Sequence, residues 1–343
     1  MTTEVITAPL TAKDFQTDQD IRWCPGCGDY SILAQAQKVL PGIGVARENI
    51  VMISGIGCSS RFPYYINSFG MHSIHGRAPA FVSGLKAARP ELSVWMVTGD
   101  GDGLSIGGNH FIHILRRNFD CNILLFNNRI YGLTKGQYSP TSEVHKVTKS
   151  TPMGSIDHPF SPPSLALGAD ASFVARSMDR DPKHLQEMLI RANKHKGASF
   201  LEIYQNCNIF NDGAFFTFTE KESKKHTALF MEHGKPLVFG AENEKGIKLD
   251  GFKPVVVNFS DGFTPDDCWI HDESDLNKAL ILARFDDHMF HEFGLPRPFG
   301  IFYQNNRPTY EDELIEQINE AKGKSGEGDL DKLIAGRETW TIQ

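Results

Sequence analysis

Short apolar runs alternate along the chain with segments in which apolar residues recur at helical spacing. Apolar runs that end at glycine or a polar residue are typical of buried strands, and apolar positions three and four apart predict amphipathic helices. The predicted strands are residues 50–54, 94–98, 123–127 and 200–204, and the predicted helices are residues 30–40, 79–88, 106–117 and 182–195. This alternation predicts an α/β fold with a doubly wound, mostly parallel sheet.

Two parts of the chain depart from the alternation. Residues 132–165 are rich in Ser, Thr, Pro and His, and a loop of this length usually has a function. From residue 211 the chain is rich in aromatic and charged residues, so we expect a domain at 1–210 and a C-terminal extension at 211–343. Within the extension, residues 237–239 and 255–257 predict short strands, and Thr309 predicts the cap of a helix.

The loop after the second predicted strand is Gly-Asp-Gly-Asp-Gly (99–103), and an Asn-Asn pair ends the next strand. Parallel strands place their carboxyl ends at one edge of a sheet, so Asp100 and Asn128 are expected to meet. With the backbone carbonyl of Ile130 they offer the oxygen ligands that Mg²⁺ prefers, and glycines let backbone N–H groups approach phosphate. We expect the N-terminus of helix 106–117 to direct N–H donors at a diphosphate.

This spacing resembles the fingerprint of thiamine diphosphate enzymes. An isolated Gly-Asp-Gly has a simpler interpretation, a tight turn without a ligand, because the tripeptide is common in turns. The flanking strands, the helix and the Asn pair favour the cofactor.

Four of the six cysteines are expected near the same edge. Cys24 and Cys27 form a Cys-Pro-Gly-Cys pair, while Cys58 and Cys207 each follow a predicted strand. Such a set fits either structural zinc or an iron–sulfur cluster. The chain has no second Cys-x-x-Cys pair, and a redox-inert ion offers little chemistry beside a reactive cofactor. The spacing therefore favours a [4Fe–4S] cluster and leaves zinc as the alternative.

Five ordered motifs resemble the beta subunit of 2-oxoacid:ferredoxin oxidoreductases. They are Trp-Cys-Pro-Gly-Cys-Gly (23–28), Gly-Ile-Gly-Cys-Ser (55–59), His-Gly-Arg-Ala (75–78), Gly-Asp-Gly-Asp-Gly (99–103) and Asn-Asn-Arg-Ile-Tyr-Gly-Leu-Thr-Lys-Gly-Gln (127–137). The resemblance is dense over residues 21–210 and looser beyond. Chain length and Leu-Pro-Arg-Pro-Phe-Gly (295–300) are most similar to the bacterial 2-oxoglutarate branch.

The resemblance implies a role for individual residues. The ligands of one [4Fe–4S] cluster would be Cys24, Cys27, Cys58 and Cys207. Magnesium would be held by Asp100, Asn128 and the carbonyl of Ile130. Thiamine diphosphate would contact Ile56, Gly57, Cys58, Ser59, His75, Gly101, Asp102, Gly132 and Leu133. His75 is a candidate hydrogen-bond partner of the phosphate or the pyrimidine, although a lone histidine is more often structural.

A 2-oxoacid with a distal carboxylate needs a cation in the pocket. Arg61 and Lys135 are the candidates, because a guanidinium or ammonium group can bind that carboxylate. The alternative for each is an ordinary surface or phosphate-neutralising charge.

The resemblance implies oxidative decarboxylation of 2-oxoglutarate with coenzyme A to succinyl-CoA and CO2, with electrons passing through the cluster to ferredoxin. The reverse reaction would fix CO2, as in a reductive tricarboxylic acid cycle. The same chemistry on pyruvate or another 2-oxoacid is the alternative. Two more distant hypotheses are a non-redox thiamine decarboxylase with structural zinc and a catalytically silent interaction subunit.

The glutamate that activates thiamine comes from the alpha subunit in this family. In this chain, Glu48 and Glu91 precede strands and so lie at the wrong end of the sheet. We therefore expect the chain to be inactive alone and to work in an alpha-beta or alpha2-beta2 assembly.

Charge and composition limit the partners and the location. A net charge of −7 argues against nucleic-acid binding. No apolar run reaches transmembrane length, and residues 1–15 lack the pattern of a secretory signal. We expect a cytoplasmic protein that does not associate with membranes.

Overall fold

The computed structural model describes residues 10–340 and 342, so most of the segment examined for a signal, residues 1–9, lies outside the described residues. The strands are β1 (Ile50–Ser54), β2 (Phe69–His72), β3 (Ser93–Gly99), β4 (Cys121–Asn127), β5 (Phe173–Met178), β6 (Ala198–Tyr204), β7 (Ala228–Phe230), β8 (Val238–Phe239), β9 (Lys245–Asp250), β10 (Lys253–Asn258) and β11 (Arg297–Gln304). The helices are α1 (Asp29–Val39), α2 (Phe62–Tyr65), α3 (Ala78–Ala88), α4 (Asp100–Leu104), α5 (Gly108–Arg117), α6 (Pro162–Gly168), α7 (Pro182–Lys194), α8 (Phe216–Thr219), α9 (Lys224–Thr227), α10 (Leu276–Leu282), α11 (Asp287–Phe293), α12 (Tyr310–Ser325) and α13 (Leu330–Ala335).

Eight strands form the main sheet in the order β2-β1-β3-β4-β6-β5-β11-β7. Neighbouring strands are parallel except for β5 and β11, which are antiparallel. The central strands β4, β5 and β6 are buried along their whole length, as expected when helices cover both faces of a sheet. The predicted α/β fold with a mostly parallel sheet is confirmed.

Alternate side chains of the central strands fill two separate cores. In β4, Ile123 and Leu125 pack on one face with Phe111 of α5, and Leu124 and Phe126 pack on the other. The second core also receives apolar residues of α1 and α7. Burying one such side chain contributes about 1.5–3 kcal/mol, so the two cores hold the sheet between its helical layers.

The helix predicted over residues 106–117 is wrong at its start. The structure has a short helix, α4, that begins at Asp100, and α5 begins only at Gly108. Ser105 leaves the helical conformation, with φ −91° and ψ −104°, and the side chain of Ile106 is 56% exposed. The helix whose N-terminus lies at the Gly-Asp-Gly loop is therefore α4. The N–H donors that were expected from the start of a helix at residue 106 belong to α4 instead.

The C-terminal extension contributes to the main sheet, because β7 and β11 both come from beyond residue 210. Strands β8 to β10 form a separate antiparallel sheet, and the predicted strands 237–239 and 255–257 correspond to β8 and β10. The Thr309 side chain caps α12 by accepting a hydrogen bond from the Asp312 N–H at 3.4 Å. In the described part of the chain, no helix is both long and apolar enough to cross a membrane.

Candidate active site

The site lies at the carboxyl ends of β1, β3 and β4, where the loops that follow these strands enclose a cavity of about 140 Å³. Its wall contains all twelve residues that the resemblance assigns to thiamine diphosphate and magnesium. It also contains Gly99, Phe126, Tyr131 and Thr134. Segments far apart in the chain thus meet as the parallel topology requires.

Asp100 is buried, and two hydroxyl groups hold its carboxylate. Its Oδ2 accepts hydrogen bonds from Ser139 Oγ at 2.5 Å and Thr141 Oγ1 at 2.6 Å. Burial raises the pKa of Asp100, and these hydrogen bonds only partly offset the effect. A divalent cation would stabilise the buried anion. Ser139 and Thr141 were not predicted, although they belong to the Ser/Thr-rich loop in which a function was expected.

Asn128 and Ile130 complete a set of oxygen donors. Asn128 Oδ1 accepts from the Ile130 N–H at 3.1 Å, and its Nδ2 donates to Gln205 Oε1 at 2.7 Å. Arg129, between them, has a left-handed φ of 58°, which turns the chain sharply. A carboxylate, an amide oxygen and a backbone carbonyl are hard ligands, so this donor set fits Mg²⁺.

Asp102 connects three segments of the site. Its Oδ1 accepts from the Ile56 N–H at 3.1 Å, the Gly76 N–H at 2.8 Å and His75 Nδ1 at 2.5 Å. Its Oδ2 accepts from Thr98 Oγ1 at 2.7 Å. The carboxylate therefore positions His75, whose side chain is 44% exposed beside the cavity, and leaves only the Asp102 backbone free to contact a cofactor.

Glycines keep the cavity open. Gly57 has φ +148° and no atom within 4 Å of the place where a β-carbon would lie, so a side chain there would project into free space. A β-carbon on Gly101 would lie 2.2 Å from the Tyr131 ring, which covers this loop. Gly57 thus leaves room for a ligand to approach the backbone, which fits a diphosphate, whereas Gly101 lets the Tyr131 ring pack against the loop.

Cys58 and Cys207 lie close together beside the cavity, and Cys27 lies near enough to feel their charges. A β-carbon on Gly132 would lie 3.6 Å from the Sγ atoms of both Cys58 and Cys207, so these sulfur atoms are no more than twice that distance apart. Burial, followed by the charge of Asp29, raises the pKa of Cys58 to about 12 and also raises that of Cys27. Buried thiols of this kind ionise only with a cation nearby, so they fit an iron–sulfur cluster as ligands.

Comparison with known proteins agrees with this geometry. Residues 55–203 match the family of thiamine pyrophosphate enzymes, C-terminal TPP binding domain. The chain is 54% identical to the 2-oxoglutarate oxidoreductase subunit KorB of Mycobacterium tuberculosis, over 97% of this chain and 89% of the relative. It is 35% identical to the 2-oxoacid:ferredoxin oxidoreductase subunit beta of Saccharolobus solfataricus, over 86% of each chain.

The chain belongs to the beta subunits of the 2-oxoacid:ferredoxin oxidoreductases. A solved structure of the 2-oxoglutarate:ferredoxin oxidoreductase from Magnetococcus marinus, with 2-oxoglutarate, coenzyme A and succinyl-CoA bound, is similar in fold. The TM-score is 0.75 at 32% identity, and the match covers 95% of each chain. The predicted family is confirmed, and the protein is an oxidoreductase subunit.

The two cations predicted to bind the substrate do not line the cavity of this beta subunit. Arg61 faces a neighbouring hollow of about 260 Å³ with Asp18 and Asp20, and its Nε donates to the Tyr65 hydroxyl at 2.8 Å. Lys135 is exposed, with a left-handed φ of 75°. It follows Thr134, which does line the cavity.

No glutamate lines the cavity of the beta subunit within residues 10–340 and 342. Glu202 within β6 is buried, but its carboxylate is bound by Arg176 Nε at 2.6 Å and Asn127 Nδ2 at 2.8 Å. Among the same residues, no three His, Cys, Asp or Glu side chains lie close enough to hold a single metal ion.

Proposed function

We propose that the chain is the thiamine- and cluster-binding subunit of a 2-oxoglutarate:ferredoxin oxidoreductase. The reaction converts 2-oxoglutarate and coenzyme A to succinyl-CoA and CO2 and transfers two electrons to ferredoxin. The observation that carries the proposal is that Cys58 belongs to the cavity wall while its sulfur lies close to that of Cys207. Relatives named for 2-oxoglutarate support the substrate.

The residues of the cavity would bind the cofactor by its diphosphate. Asp100, Asn128 and the Ile130 carbonyl would hold Mg²⁺, and Ser139 and Thr141 keep the Asp100 carboxylate in place. Bound thiamine diphosphate supplies a nucleophilic carbon and an electron sink for loss of CO2. His75, oriented by Asp102 through Nδ1, would form a hydrogen bond with the phosphate or the pyrimidine through Nε2.

Cys24, Cys27, Cys58 and Cys207 would hold the cluster next to this cavity. A [4Fe–4S] cluster supplies one-electron transfer at low potential. Because Cys58 lies in the cavity wall, electrons would travel only a short distance from the bound cofactor. The residues Ile56, Gly57, Ser59, Gly101, Gly132 and Leu133 would contact the cofactor along the same wall.

An alpha subunit would complete the site. Leu133, in the cavity wall, and Ile74, which precedes His75 of that wall, are 54% and 67% exposed, which is typical of a surface that a partner covers. The partner would supply the activating glutamate, in an alpha-beta or alpha2-beta2 assembly. We place the enzyme in the cytoplasm, and the same residues would serve the reverse reaction that fixes CO2.

Arg61 is the candidate for binding the distal carboxylate, with Lys135 as the alternative. In the described part of the chain, Arg61 bonds only through Nε, so both Nη groups of its guanidinium remain available for a bidentate contact. We expect Arg61→Met to lower kcat/KM for 2-oxoglutarate at least tenfold. The kcat/KM for pyruvate should change little. Lys135→Met is the matched comparison, and equal losses on both acids in Arg61→Met would contradict the assignment.

The function is tested on anaerobically purified enzyme containing the alpha subunit. We expect CoA-dependent reduction of ferredoxin or viologen, faster with 2-oxoglutarate than with pyruvate, and four iron atoms per chain. Faster pyruvate turnover would retain the mechanism and reject the substrate. Colourless, zinc-containing protein that releases an aldehyde would support the thiamine decarboxylase. Thiamine binding that survives Asp100→Ala would show that this loop does not hold the cofactor.

A further inference from the structure

Gln205 is a buried side chain, 2% exposed, that contacts both halves of the site. It directly follows β6, and its backbone N–H donates to the Asn127 carbonyl at 2.9 Å. Its side-chain Nε2 donates to Cys27 Sγ at 3.2 Å and to the Asn206 carbonyl at 2.7 Å. Its Oε1 accepts from Asn128 Nδ2 at 2.7 Å. One amide thus joins a proposed cluster ligand to a proposed magnesium ligand.

The surroundings permit only one orientation of this amide. Reversing it would place the Gln205 oxygen against the sulfur of Cys27 and the carbonyl of Asn206, which both accept hydrogen bonds. It would also place the Gln205 NH2 group against that of Asn128, where both are donors. The observed orientation satisfies both hydrogens and the oxygen, so the amide is fixed at both ends.

We propose that Gln205 is a positioning residue that couples the two cofactor sites; the inference rests on the function proposed above. Toward Cys27 it donates a hydrogen bond to a coordinating sulfur, which stabilises the more negative, reduced cluster and raises the reduction potential. Toward Asn128, its Oε1 accepts a hydrogen bond from the Asn128 NH2 group. This bond fixes the Asn128 side chain so that its own oxygen, Oδ1, stays directed at the metal.

The two effects are linked through one chain of dipoles. A cation on Asn128 Oδ1 polarises that amide, so its Nδ2 becomes a stronger donor to Gln205. Gln205 in turn becomes a stronger donor to Cys27. Binding of Mg²⁺ therefore raises the potential of the cluster, and reduction of the cluster strengthens Mg²⁺ binding by the same factor. The cluster accepts electrons most readily when the cofactor is in place.

The test uses the assembled enzyme with Gln205→Met, which keeps the length of the side chain and removes the donor and the acceptor. The midpoint potential is measured by a redox titration followed by electron paramagnetic resonance, with and without Mg²⁺ and thiamine diphosphate. We expect the ratio of reduced to oxidised cluster at a fixed potential to fall about tenfold, or about 59 mV for one electron. We expect Mg²⁺ affinity to fall about tenfold. The shift that Mg²⁺ causes in the wild type should shrink in the variant.

Gln35→Met is the matched control. Gln35 is also buried, 4% exposed, but its amide donates to the Ser31 carbonyl and accepts from Gln186, and it contacts neither Cys27 nor Asn128. We expect this variant to keep both the potential and the Mg²⁺ affinity of the wild type. A general effect of losing a buried amide would instead appear in both variants and overturn the proposal.

Other outcomes separate this inference from the proposed function. Wild-type enzyme without iron would reject the function and the inference together. A normal cluster in the wild type, with potential and Mg²⁺ affinity unchanged in Gln205→Met, would reject the inference alone. If Gln205→Met does not take up iron, Gln205→Asn decides, because it keeps a polar amide that is too short for both contacts. A wild-type potential in Gln205→Asn would overturn the proposal.

Discussion

Asp100 and Asp102 belong to one short motif, but their carboxylates have different partners in the folded chain. Asp100 is bound on one oxygen by two hydroxyl groups, which leaves its other oxygen available to a metal. Asp102 uses both oxygens to join the loops that contain Ile56 and His75. At the scale of residues, one carboxylate suits a ligand role and the other organises the walls of the cavity.

Asp102→Asn should loosen these walls. An amide has one acceptor oxygen where the carboxylate has two and carries no charge, so it cannot satisfy all four donors at full strength and the bonds from the Ile56 and Gly76 N–H groups weaken, at a cost of about 1.5–3 kcal/mol. We expect lower stability in urea and weaker binding of thiamine diphosphate, measured by calorimetry. Thr98→Val removes only one of the four bonds and should cost less. Equal stability of Asp102→Asn and the wild type would contradict this role.

Asp287 gives a prediction for pH dependence. Burial alone would raise its pKa, but Arg129 Nη1 at 2.8 Å and the buried guanidinium of Arg297 lower the pKa overall. A carboxyl with a lowered folded-state pKa stabilises the fold fully above its unfolded pKa of about 3.9 and progressively less below it.

Asp287→Asn should therefore destabilise the protein most at neutral pH. We expect about 2 kcal/mol, below the 3–5 kcal/mol of a fully buried pair, because Asp287 remains 33% exposed. Urea unfolding of both proteins at pH 7 and at pH 3.5 is the measurement. The difference between them should shrink at the lower pH, and a difference that grows there would reject the ion-pair explanation.

At the scale of elements, the turn between Cys24 and α1 is held tightly against the loop after β6. The Gly28 N–H donates to the Asn206 carbonyl at 3.1 Å. A β-carbon on Gly28 would lie 1.9 Å from Asp179 Oδ2 and 2.9 Å from the Asn206 nitrogen. This close approach brings the Cys24–Cys27 pair to the segment that contains Cys207.

Gly28→Ala should push these two segments apart. Overpacking of this kind costs about 1–3 kcal/mol, and here it would also misplace the sulfur ligands. We expect a loss of iron content and of visible absorbance in anaerobically purified protein. Gly42→Ala is the control, because no atom lies within 4 Å of the β-carbon it would add. Full iron content in Gly28→Ala would show that the close approach is not required.

At the scale of the whole molecule, the C-terminal helices are attached at one end only. Buried Lys86 Nζ lies 3.5 Å from Glu311 Oε1, which fixes the first turn of α12 to α3. Every residue from Glu316 to Trp340 is exposed, including all of α13. Ile318, an apolar residue of α12, is 45% exposed.

Truncation after Ser325 should therefore leave stability unchanged within about 0.5 kcal/mol, as is typical at exposed positions. Truncation after Pro308 should cost about 3 kcal/mol, because it removes Glu311 and leaves the Lys86 ammonium with Asp120 as its nearest carboxylate, beside the carbonyls of Pro90 and Leu92. Thermal and urea unfolding of the two shortened chains measures the difference. Similar stabilities would mean that α12 is not anchored through Lys86.

The strands β1, β3, β4 and β6 were predictable because each contains a run of mostly apolar residues, which Glu202 interrupts at a single position in β6. β5 was missed because it carries Arg176, a charge that is buried only through its pairing with Glu202 of β6. β2 was missed because it is an edge strand exposed along its length, so its residues need no apolar pattern. The start of α5 was misplaced because a break at Ser105 depends on how the glycines after it pack.

The sequence by itself determined the family, the parallel α/β fold and the residues that surround the cavity. These follow from local patterns: strands that bury apolar runs, glycines beside a carboxylate, and cysteines at the ends of strands. Only the tertiary structure decided which groups hold those residues. Ser139 and Thr141 bind Asp100, Gln205 joins Cys27 to Asn128, and Arg61 lies outside the cavity wall. Each of these depends on distances between segments that are remote in the chain, which hydrophobic spacing does not encode.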